Sequence, residues 1–152
     1  MSADTFSFDS LIPEVLRPEI QAFGSGFLIT LEHAGITLGL LLIGSFLYAL
    51  LTPYKEIQQI RDGNSAAAVA FGGVILGLAM PLAASLAAST SIREIAIWGG
   101  ATVILQLFIF RLVDFILAGL PQRIHEGEIS AAVLLVAAKL SASIILTAAV
   151  AG

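Results

Sequence analysis

The sequence predicts an all-α integral membrane protein: four transmembrane helices arranged as two tandem, parallel-oriented helical hairpin repeats. The first observation is composition. The chain has 152 residues, 58% of them hydrophobic and 12% charged, with a mean hydropathy of +0.99, whereas soluble domains run at about 45–50% apolar and roughly 25% charged. The second is that four apolar stretches, at residues 27–51, 65–87, 95–117 and 129–151, each have spanning length. A helix satisfies its own backbone polar groups, and about 20 apolar residues carry it across the hydrocarbon region. The third is a repeated pattern: IRDGNSAAAV at 60–69 returns as IHEGEISAAV at 124–133.

Residues 1–24 read as an N-terminal arm. Leu11, Ile12, Val15, Leu16 and Ile20 recur at helical spacing opposite Glu14, Arg17 and Glu19, the pattern of an amphipathic helix lying on the membrane surface. The alternative is an irregular arm broken by Pro13 and Pro18, since proline is tolerated only in a first turn. Asp4, Asp9, Glu14 and Glu19 against the single Arg17 do not make the basic start of a cleavable signal peptide.

The first repeat, residues 25–88, holds two spans joined by TPYKEIQQIRDGN, in which Pro53 ends one helix and Gly63 with Asn64 turns into the next. The second repeat, residues 89–152, joins its spans through AGLPQRIHEGE, with Gly119, Pro121 and Gly127 in the same service. Lys55, Arg61 and Arg123 lie in these two connections, against Arg17 and Arg93 on the other side. The positive-inside rule then puts both connections in the cytoplasm and both termini outside.

Sliding the chain by 64 positions lays Ile60, Gly63, Ala67, Ala68 and Val69 on Ile124, Gly127, Ala131, Ala132 and Val133, and sets Asn64 opposite Glu128. Gly63, Asn64, Gly127 and Glu128 thus mark the repeated turns. The register continues with Gly73 over Ala137 and Gly77 over Ser141. These small residues predict close helix packing, within the bundle or between protomers, because helices in lipid associate by contact rather than by exclusion of water. Two units with an even number of spans share one orientation, so the repeat is parallel.

The stretch LTPYKEIQQIRDGNSAAAVAFGGVILGLAMPLAAS, followed by WGGATVILQLFIF, resembles the small bacterial inner-membrane proteins of domain-of-unknown-function family 350. Thr52, Pro53, Glu56, Gly63, Asn64, Ala66, Ala67, Ala68, Gly77, Pro81 and Gln106 stand at the matching positions. The resemblance implies four spans in a bacterial inner membrane and no particular activity.

Ionisable side chains inside a membrane cost about 2.5–3.5 kcal/mol at a helix centre, so each calls for an account. Gln106, Arg111 and Asp114 in the third span and Lys139 in the fourth are expected to form a buried polar network tying those helices together, or else an ion or proton pathway. Glu32 and His33 form a candidate polar pair near the outer end of the first span, making hydrogen bonds, lining an outer vestibule, or, for His33, offering an axial ligand to a haem-like pigment. All five charged positions are private to one repeat.

The chain lacks cysteine and carries a net charge of -4, with no basic stripe for nucleic acid. No catalytic constellation is visible: GSG at 24–26 follows no strand, and His125 beside Glu126 has no neighbouring ligand in sequence. The sequence therefore points to a non-enzymatic membrane subunit without a cofactor or metal, structural or accessory in a membrane assembly. Its expected partners are the lipid bilayer and either further copies of itself, as a homo-oligomer, or other membrane proteins. The alternative is an oligomeric ion channel or transporter subunit, with a polar route lined by the intramembrane charges.

Overall fold

The computed structural model describes residues 17–152, and every regular element among them is helical: α1 Arg17–Leu51, α2 Glu56–Arg61, α3 Ser65–Ala88, α4 Ile92–Ile116, α5 Leu120–His125 and α6 Ile129–Ala151. Four of them, α1, α3, α4 and α6, are long and apolar enough to cross a membrane. The short α2 and α5 lie in the two connections.

α1 starts well before the expected first span and runs through the boundary at residue 24. Its 35 residues extend about 52 Å at 1.5 Å per residue, beyond a hydrocarbon core of about 30 Å. The GSG segment does not break it. Ser25 Oγ donates to the carbonyls of Gln21 and Ala22, and Thr30 Oγ1 to that of Gly26, so these hydroxyls are satisfied inside the helix. Of the expected surface helix, residues 11–16 lie outside the described residues, while Arg17 and Ile20 belong to the start of α1.

The two connections share one local geometry. Lys55 (φ 48°) and Gly119 (φ 96°) are left-handed residues ahead of α2 and α5. Gly63 (φ 88°) and Gly127 (φ 91°) follow them. Gly63 and Asn64 donate their backbone N–H groups to Ile60 and Gln59, and Gly127 and Glu128 to Ile124 and Arg123. This double closure at a helix end demands a left-handed residue, which only glycine adopts without strain. The acid-Gly pair repeated in the sequence is this turn. α4 begins at Ile92, earlier than expected, because Ser91 caps it: Ser91 Oγ accepts from Glu94 N, while the Glu94 carboxylate accepts from Thr90 N and Oγ1.

α3 and α6 form the most extensive helix pair, and α1 packs on α4 and α3. At the hairpin end Ala66, Ala67 and Ala70 meet Ala131, Ala132, Leu135 and Ile124, so the two Ala-rich helix starts form one core. Further in, Tyr48, Val74, Leu78, Leu82, Val103, Leu107 and Phe110 form the second.

The small residues divide. A Cβ on Gly73 would fall 2.5 Å from Val136 Cγ2, and one on Gly77 would fall 2.7 Å from Phe110 Cζ and 2.8 Å from Ser143 Oγ. Both glycines are thus close-approach points inside the bundle. Ala137 and Ser141, their expected counterparts, are exposed. Since α3 is enclosed by α1, α4 and α6, whereas α6 lies mainly against α3, the same register position is interior on one helix and exterior on the other.

Candidate functional site

A polar cluster sits where α1, α4 and α6 converge on the hairpin end. Lys139, only 1% exposed, points its ammonium between the carboxylate of Asp114 on α4 (Nζ to Oδ1, 2.7 Å) and the hydroxyl of Tyr48 on α1 (2.7 Å). The Tyr48 and Phe110 rings lie beneath it, their centroids 4.7 and 5.4 Å from Nζ. A cation over aromatic faces gains from their quadrupoles, more so when desolvated. Tyr48 in turn donates its hydroxyl hydrogen to Glu56 Oε1 at 3.3 Å, so Lys139, Tyr48 and Glu56 form a hydrogen-bonded chain from the bundle interior to α2.

Behind it, Gln106 Nε2 donates to Ser143 Oγ at 2.7 Å, and Ser143 donates to the Lys139 carbonyl at 2.8 Å. Gln106 Oε1 and Glu56 Oε2 remain buried without a partner. Gln106 is fully enclosed.

The cluster opens on one side into a cavity of about 310 Å³, walled by Tyr48, Tyr54, Glu56, Arg111, Phe115 and His125 among others. α2 and α5 frame its mouth and are locked together by Asn64. The Asn64 Oδ1 caps α3 by accepting from Ala67 N, while its Nδ2 donates to Gln59 Oε1 and to the carbonyls of Ile124 and His125. Glu128, at the equivalent position, instead faces solvent, paired with Arg123 and accepting from Ser130. These partners hold the Glu128 carboxyl down to about 2. The sequence difference at this pair of turns therefore separates a clasp between hairpins from a surface ion pair.

Of the charged positions singled out in the sequence, Asp114 and Lys139 are brought together, and Gln106 reaches Ser143 beneath them. Arg111, expected in the buried network, is exposed on the cavity wall and makes no ion pair among the described residues. Glu32 is exposed and His33 half-buried near the middle of α1, away from the helix end where the two were expected, and neither side chain is hydrogen-bonded among the described residues. Tyr48, Glu56 and Ser143 are members that sequence reasoning missed. Tyr48 had a signal, as the only phenol within the four spans; Glu56 had one only as a position of the family resemblance, lying otherwise in what reads as a polar turn.

Burial pushes the Glu56 carboxyl up to about 7, with the Asp114 charge adding to the rise and Lys139 and Tyr48 opposing it. The folded state therefore binds this proton more tightly than the unfolded chain. Its stabilising contribution is complete below about pH 4.5 and is lost as pH rises through about 7, a change of about 3 kcal/mol. Unfolding in detergent between pH 4.5 and 8 is expected to show this decline in the native protein. It should be absent in Glu56→Gln, and an unchanged slope in that variant would remove Glu56 as its source.

The family described as Domain of Unknown Function (DUF350) matches residues 22–150, which covers nearly all of the four spans and both connections. The chain belongs to this family. Among its relatives, the UPF0719 inner membrane protein YjfL of Escherichia coli K12 is 31% identical over 109 residues, 72% of this chain and 83% of its own length. The UPF0719 transmembrane protein YshE of Bacillus subtilis strain 168 is 32% identical over 69 residues, 45% of this chain and 52% of its own. No solved structure matches. Relatives named for the inner membrane, together with four apolar helices, fit this DUF350 chain to a multi-pass inner-membrane protein.

Proposed function

We propose that this chain is an accessory subunit of a membrane assembly, non-conducting by itself, with a protonatable vestibule open to one side only. The observation that carries the reading is enclosure. Gln106 and Lys139 are 0% and 1% exposed within a single chain, so they cannot line a route formed between protomers. On the far side of the cluster, the buried interior is mainly Leu78, Leu82, Val103 and Ile95, with the small hydroxyls of Ser85 and Thr102 and no charged group. A charged group meeting that layer would lose its hydration for little replacement.

The paired local geometry of α2 with α5, and the turns after them, supports the tandem parallel repeat as the origin of the bundle. In that arrangement both connections and the vestibule face the cytoplasm, with both termini outside, as the basic residues favour. Partners, whether further copies or other membrane proteins, meet the outward faces of the spans, where Ala137 and Ser141 offer a small-residue surface.

Reconstitution into sealed vesicles with an imposed proton or potassium gradient tests the reading. The gradient is expected to decay at the rate of protein-free vesicles. Flux that requires the protein and disappears in Asp114→Asn would replace the accessory reading with a conducting one.

A further inference from the structure

Glu56 lines the cavity and is 8% exposed, and its two oxygens are in different states: Oε1 accepts from Tyr48, while Oε2 is buried without a partner. A buried carboxylate oxygen without a donor carries a desolvation penalty. The local charge points the same way. Two carboxylates, Glu56 and Asp114, face one buried ammonium, Lys139, while Arg111, the other cation on the wall, is exposed.

The chain itself displays the kind of cation this environment holds. The Lys139 alkylammonium is gripped by a carboxylate and a phenol hydroxyl over two aromatic rings. The cavity repeats these kinds of part with the Glu56 side chain, the tyrosines Tyr48 and Tyr54 and the Phe115 ring. At about 310 Å³ it is of the size that takes small organic ligands, about 300 Å³ and upward. A bare metal ion wants several hard oxygen ligands at once, and no group of three or more His, Cys, Asp or Glu suited to a metal occurs among the described residues.

We propose that the vestibule binds a small organic ammonium ion, its N–H donors on the Glu56 carboxylate and its alkyl part against Tyr48, Tyr54 and Phe115. Where Glu56 starts protonated, binding exchanges cations: the carboxyl gives its proton to solvent and the ammonium takes its place, so the charge balance is conserved. The raised affinity of Glu56 for protons, to about 7, makes proton and ammonium competitors. The site does not depend on the accessory reading. Vesicle flux would overturn that reading and leave amine binding to be measured on its own.

The test uses the full chain in lipid nanodiscs, titrated calorimetrically with n-butylammonium chloride, with butan-1-ol and sodium chloride as comparison probes. Saturable binding of butylammonium is expected at pH 8, weaker at pH 5.5, with proton release near pH 7 and no matching signal from butanol or sodium. Glu56→Gln should weaken it by at least about tenfold, and Arg111→Gln, which removes the exposed cation on the wall, should strengthen it. The folding of each variant is checked by its thermal transition. The proposal is overturned if folded Glu56→Gln binds as tightly as the native chain, if butanol binds equally, or if Glu56 titrates with no effect of amine at any pH. A Glu56→Gln chain that failed to fold would leave the pH dependence and the Arg111→Gln shift to decide.

Discussion

Asp114→Asn is expected to destabilise the bundle by about 3–5 kcal/mol, because it leaves the Lys139 ammonium buried without its directly paired carboxylate. Breaking a buried pair costs more than never having had one, since the remaining charge keeps its desolvation penalty and loses its attraction. Lys139→Met should be comparably harmful, as it strands Asp114 while also removing the donor to Tyr48. The decisive variant is the double one. Asp114→Asn with Lys139→Met removes both charges and keeps roughly the same volume, so it should recover most of the loss, with Glu56 free to protonate. Denaturant unfolding in detergent for the four members of this cycle measures the coupling. Simple additivity of the two losses would show that the pair does not interact.

Gly73→Leu is the second large effect. Even a Cβ there would lie 2.5 and 2.7 Å from the two methyl carbons of Val136, and these belong to a β-branched side chain with little freedom to move. A leucine must push α3 and α6 apart along the most extensive helix pair of the fold. Overpacking of this kind costs about 1–3 kcal/mol and occasionally more, and in lipid no hydrophobic force restores the separated helices. Gly72→Ala is the matched control, since nothing lies within 4 Å of its new Cβ and helix propensity favours alanine by about 1 kcal/mol. Thermal unfolding should move down for Gly73→Leu and stay level or rise for Gly72→Ala. Equal behaviour of the two would mean that α3 and α6 do not meet at Gly73.

The two predictions draw on different amounts of sequence information. Gly73 was legible as a packing residue, because small residues at helical spacing in a span have few other uses. Its counterpart Ala137 was equally legible and faces outward, because register says where residues lie along a helix but not which neighbours enclose it. The Lys139 and Asp114 pair was readable from the scarcity of intramembrane charge. Arg111, just as scarce, is exposed on the cavity wall: three residues from Asp114, it lies on a neighbouring part of the helix surface that the bundle leaves open.

Glu56 shows the limit most clearly. In the sequence it is one acid in a polar connection following Pro53. In the folded chain Pro53 and the left-handed Lys55 bring α2 back against the end of α1, so that Glu56 lies beside Tyr48 and is almost wholly buried. Asn64 is similar. Its role as the cap of α3 is local and readable, while its donation to the carbonyls of Ile124 and His125 depends on the second hairpin lying alongside the first.

Membrane residence, four spanning helices and the positions of the turns were all legible without any tertiary contact. Each of these follows from a local cause: apolar length sets the spans, and proline, cap and left-handed glycine set the ends. That Tyr48 and Glu56 join Lys139 and Asp114, and that these groups border a cavity, emerged only from the packed bundle. Those contacts link residues as many as 91 positions apart, and whether a polar side chain is buried, paired or exposed depends on which helices surround it.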